Sequence, residues 1–143
     1  MKKIKYIITI ISIVFITSCD DDTDDTLPEI DFIFPIENEQ LVTGTNLEFE
    51  AEFTDDTELK SYRIDIHKAG DHTHKSKSSH EFTMQKSWDF EEGMKSAHIR
   101  HNEVFIPNDT ETGEYHILVY CADKAGNESW IAHDIEIVAP DSE

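Results

Sequence analysis

The chain has 143 residues and carries 31 Asp and Glu against 12 Lys and Arg, a formal net charge of −19, with 38% hydrophobic and 10% aromatic residues. That length and apolar content suffice for one buried core and not two, since domains run to roughly 100–200 residues. The acidity excludes a nucleic-acid partner, which needs a basic face, and two cysteines are too few for a disulfide scaffold.

Residues 1–18 read as an address rather than as part of a fold. Lys2, Lys3 and Lys5 precede an apolar run, Tyr6 to Thr17, which is shorter than the about 20 residues of a membrane span. The run ends in Ile16-Thr17-Ser18-Cys19. This resembles a bacterial lipobox, which implies cleavage before Cys19 and lipidation of Cys19. Two or three acyl chains anchor stably, because each buried methylene contributes about 0.8 kcal/mol. Asp20, Asp21, Asp22, Asp24 and Asp25 follow at once, and such a like-charge block repels itself into an extended tether over residues 19–27. An acidic run directly after the lipidated cysteine looks like the surface-export signal of Bacteroidetes lipoproteins. The resemblance implies an outer-membrane location facing outward, with the membrane contacted through the lipid. With Cys19 consumed, Cys121 has no disulfide partner.

From residue 28 to 139 short alternating runs recur, and they predict an all-β domain followed by a short tail, 140–143. Ile30 to Phe34 is a strand stopped by Pro35; Leu47 to Phe53 alternates strictly; Asp55-Asp56-Thr57 is a turn; Tyr62 to His67 alternates again. Trp88 to Phe90 is a weaker strand, His98 to Ile106 ends at Pro107, and Tyr115 to Ala122 is the most apolar run. Asp123 to Asn127 forms a hairpin turn, and Trp130 to Val138 closes the domain. About seven strands over this length predict an immunoglobulin-like β-sandwich. Thr112-Gly113-Glu114-Tyr115 resembles the tyrosine corner that opens strand F of that fold. Ile117 stands where antibody domains carry a cysteine, and Tyr62 is the nearest aromatic to the absent strand C tryptophan.

Four segments in order, Leu59 to His67, Asp71-His72-Thr73-His74, Gly113 to His116 and Asp123 to Asn127, together resemble the DUF4625 family of Ig-like lipoproteins. The resemblance spans nearly the whole chain after Cys19. It implies fold and location and supplies no activity.

The chemistry on offer is histidine. Of eight histidines, His67, His72, His74 and His80 crowd one stretch. Strands C and F are antiparallel neighbours in this fold, so His67, ending C, and His116, starting F, belong at the same end. Ile64 and Ile66 point inward, which turns Asp65 and His67 outward; Tyr115 and Ile117 do the same for His116. The loop with Asp71, His72 and His74 begins beside them. His67, His72, His74 and His116, or three of these with Asp71, make a reasonable ligand set for zinc, or for copper as second choice. Asp65 is positioned to orient an imidazole from behind. His80, His98 and His101 are weaker candidates, since His98 and His101 open a strand that should start at the far end. His133 shares a side with Ile131, Ile135 and Ile137 and reads as a core histidine.

Asp55, Asp56, Asp123 and Asn127 fall in two loops that share the opposite end, a weaker calcium reading. No phosphate loop, no Gly-x-Ser-x-Gly and no His-Glu-x-x-His occurs, so the chain reads as a non-enzyme, with a metal-dependent hydrolase as the remote exception. The expected role is a metal-holding binding module, a scavenger or an accessory to an outer-membrane transporter. The competing role is an adhesive module that binds a protein or glycan through Trp88, Phe90 and Trp130.

Overall fold

A computed structural model describes residues 24–70 and 82–141. Eight strands follow in chain order: β1 (Glu29–Phe34), β2 (Glu39–Val42), β3 (Asn46–Thr54), β4 (Leu59–Lys68), β5 (Met84–Asp89), β6 (Ser96–Phe105), β7 (Gly113–Asp123) and β8 (Glu128–Val138). They form two sheets, β1-β3-β6 and β2-β8-β7-β4-β5, packed as an all-β sandwich. Every pairing is antiparallel except that of β2 with β8. No helix among the described residues is long and apolar enough to cross a membrane.

The sandwich follows from alternation. Leu47, Phe49, Ala51 and Phe53 of β3 are buried, as are Leu59, Tyr62, Ile64 and Ile66 of β4 and Tyr115, Ile117, Val119 and Cys121 of β7. Side chains at every second position of a strand face one way, so each of these strands contributes one apolar row to a shared interior. Tyr62 takes the place of the missing tryptophan. Its ring lies 6.0 Å from Phe49 and 5.0 Å from Trp88, nearly parallel to both.

The tyrosine corner is present. Tyr115 is fully buried, and its hydroxyl donates to the Glu111 carbonyl oxygen at 2.8 Å. This fastens the chain entering β7 to the loop before it. Cys121 is buried and free, and burial pushes its thiol up to about 12. A thiol held protonated in this way is inert at neutral pH.

Two details depart from expectation. One strand more forms than the sequence indicated, because β2 is only four residues long and pairs with the distant β8, so it leaves almost no local periodicity. Trp88 and Phe90, expected as exposed contact aromatics, are instead packed partly buried against the core, where Phe90 meets Phe53 at 5.3 Å. Trp130 alone of the three stays exposed, at 63%.

Candidate metal centre

β4 and β7 lie side by side in the centre of the larger sheet, and their register sets His67 directly opposite His116. Ile66 and Ile117, one position away on each strand, are fully buried, so both imidazoles stand on the outer face. The ring centroids are 5.6 Å apart with planes at 69°. Two imidazoles on one tetrahedral zinc, each about 2.0–2.1 Å from the ion through nitrogen, place their centroids roughly 5 Å apart.

Each ring is aimed from behind. His67 Nδ1 is 2.9 Å from Asp65 Oδ1, and His116 Nδ1 is 2.6 Å from Asp134 Oδ1. A carboxylate accepts only, so in the neutral ring Nδ1 carries the proton and Nε2 the lone pair. Behind this layer, Gln85 Nε2 donates to Asp65 Oδ2 at 3.0 Å, and the Asp134 amide donates to Glu37 Oε2 at 3.1 Å. Both histidine side chains are about two-fifths exposed. His116 and Asp134 also line a cavity of about 270 Å³ together with Asn38, Ala69, Glu114, Ile135 and Glu136.

The remaining candidates divide. Asp71, His72, His74 and His80 lie outside the described residues, as does Cys19. The chain leaves β4 beside the pair, where the Ala69 amide donates to the Glu114 carbonyl oxygen at 2.9 Å. His98 and His101 belong to β6 in the smaller sheet and do not meet His67 and His116. His98 Nε2 pairs with Glu50 Oε1 at 2.8 Å on the outer face of that sheet. His101 turns inward and packs 5.1 Å from Phe49 and 4.7 Å from Trp88, and burial pushes its imidazole below the ordinary range. His133 stacks on Phe32 at 4.4 Å, with Nδ1 bonded to the Pro35 carbonyl oxygen at 2.8 Å.

Asp134 was missed in the sequence although a signal for it exists. Counting back rung by rung from the hairpin, where Ala122 faces Glu128, sets Asp134 against His116. At the other end of the sandwich the calcium candidates reassemble in altered form. Asp55 and Asp123 converge there with Asp24, whereas Asp56 is not part of the group. Asp24 was read only as tether.

The family model described as "Domain of unknown function (DUF4625)" matches residues 17–138. No curated protein matches the sequence. Among solved structures, a crystal structure of a DUF4466 family protein from Parabacteroides merdae ATCC 43184 is similar, with a TM-score of 0.53 and 14% identity. The likeness covers 77% of this chain and 45% of that one. At this identity it speaks for the fold alone, and this chain spans less than half the length of that relative.

Proposed function

The chain belongs to the DUF4625 family, and from that premise we propose that it is a lipid-anchored binding module of the cell envelope that holds a transition metal. The anchor is Cys19, the location is the outer membrane with the domain facing outward, and the metal is zinc, with copper second. The single observation that carries the metal reading is the His67–His116 pair, set face to face by strand register and oriented by Asp65 and Asp134. Carboxylate–histidine–metal relays of this kind fix the tautomer and raise ligand basicity. Nitrogen donors without thiolate suit zinc or copper(II).

On this reading Asp71, His72 and His74, which follow β4 in the sequence, supply the further ligands. The bound metal would be stored or passed to an outer-membrane transporter, and no step of catalysis is required. Elemental analysis of the full chain, purified from membranes in detergent without chelator, is expected to find close to one zinc or copper per chain. A metal-free protein that also fails to take up added zinc would contradict the proposal.

One observation favours the second reading, an adhesive module. Trp130 is exposed beside Tyr120, 6.5 Å between ring centroids, and the Arg63 guanidinium sits 4.0 Å over the Tyr120 ring. Such an aromatic row on an open sheet face suits a glycan or protein surface. It lies on the same outer face as the histidines, so both roles can share one surface.

A further inference from the structure

The outer face of the larger sheet carries a rung that the histidine pair does not use. Register sets Arg63 of β4 opposite Tyr120 of β7, and Tyr120 opposite Trp130 of β8. Ser87 of β5 stands on the other side of Arg63 and is exposed. Tyr62, Ile64, Val119 and Cys121, the neighbours of Arg63 and Tyr120 along their strands, are all buried, so this rung points away from the core. With strands about 4.8 Å apart, its four positions span roughly 14 Å. The His67–His116 rung lies further along the same strands, roughly 13 Å away at about 3.3 Å per residue.

Trp130 is 63% exposed, and no other large hydrophobic side chain of these four strands is exposed to that degree among the described residues. The Arg63 guanidinium lies 4.0 Å over the Tyr120 ring. Of its nitrogens only Nε is both buried and unpartnered. No described residue accepts from its two Nη groups, so these keep contact with solvent. In a chain with 31 carboxylate side chains, this cation is held flat by an aromatic ring instead of by an ion pair. That leaves its outer donors for a guest.

Size and charge narrow the guest. A protein partner needs about 800 Å² on each side with an apolar centre, whereas a single tryptophan supplies roughly 150–250 Å². The flanking outward rungs carry Asp65 on one side and Asp89 and Glu128 on the other. Those carboxylates repel an anion, and Arg63 at the centre repels a cation. What fits is an uncharged guest with apolar faces and many acceptor oxygens. We propose that the Ser87–Arg63–Tyr120–Trp130 rung binds a neutral oligosaccharide. One sugar ring lies on the Trp130 indole, where its C–H bonds meet the negative ring face, and hydroxyl oxygens of the chain accept from the Arg63 Nη groups. The proposal rests on the adhesive reading above and commits it to one class of ligand.

The test is calorimetric titration of the full chain, kept in a detergent without a sugar headgroup and with chelator present, so that no metal takes part. The probes are neutral hexasaccharides of glucose, xylose and mannose, and a galacturonate hexasaccharide as the anionic counterpart. At least one neutral probe is expected to bind, and the galacturonate is not. Trp130→Ala is expected to weaken that binding roughly tenfold or more, with Trp130→Phe restoring most of it. Because Trp130 is largely exposed, neither variant opens a hole in the core. Arg63→Lys, which loses the planar fork, is expected to weaken it several-fold. Binding of none of the neutral probes, binding of the galacturonate alone, or equal binding by Trp130→Ala would overturn the proposal. A defined protein partner that Trp130→Ala releases, on a chain that takes no saccharide, would keep the adhesive reading and overturn this one.

Discussion

Replacing both His67 and His116 with alanine is expected to weaken zinc binding by the full chain on the order of 100-fold or more. Altering only the groups that orient a metal-bound histidine already costs about 10–100-fold, and this variant removes two donor nitrogens outright. Both side chains are substantially exposed, so truncation opens no core cavity and the fold should persist. On the strands themselves, what remains is Asp65 and Asp134, the carboxylates that oriented the two rings. The wild-type affinity is also expected to fall on acidification, because an imidazole ligates only when neutral and protons compete for the same lone pair. Competition with a chromophoric zinc chelator at several pH values measures both effects. Equal affinity in variant and wild type would remove the histidine pair from the site.

Truncating Phe49 to alanine is expected to cost about 3–5 kcal/mol of folding stability. Phe49 is fully buried on β3, and its ring sits among Phe32 at 5.8 Å, Tyr62 at 6.0 Å and His101 at 5.1 Å. It spans from the smaller sheet to the larger one, so alanine leaves a hole that only a shift of one whole sheet could close. Domains of this size hold roughly 5–15 kcal/mol in all. The variant should therefore unfold at a much lower denaturant concentration, with an unchanged slope. Chemical denaturation followed by tryptophan fluorescence reads this directly, since Trp88 stacks on Tyr62 in the same cluster. A loss under about 1 kcal/mol would mean that the two sheets do not depend on this ring.

Much of this architecture is legible from local pattern. Strict alternation in Leu47 to Phe53 and in Tyr62 to His67 identifies which residues face the core. The Gly113-Glu114-Tyr115 sequence places the corner whose hydroxyl reaches Glu111. From these the facing of His67 and His116 follows without coordinates, and so does Asp65 as the partner of His67. What escapes the sequence is long-range. Glu39 to Val42 makes a strand only because β8 offers it an edge, and four residues carry no period of their own. Trp88 and Phe90 look like surface aromatics until Tyr62 and Phe53 are found beneath them. Asp24 sits in what reads as solvated tether, and nothing near it in the chain announces that Thr57 and Asn127 hold it.

The most direct measurement is the nitrogen spectrum of the histidine side chains in isotope-labelled full-length protein during a zinc titration. The account predicts that the Nε2 signals of His67 and His116 move together and saturate at one zinc per chain, while their Nδ1 signals keep the character of protonated nitrogens bonded to carboxylate. Saturating zinc that leaves both Nε2 signals in place, or that shifts only other histidines, would contradict it.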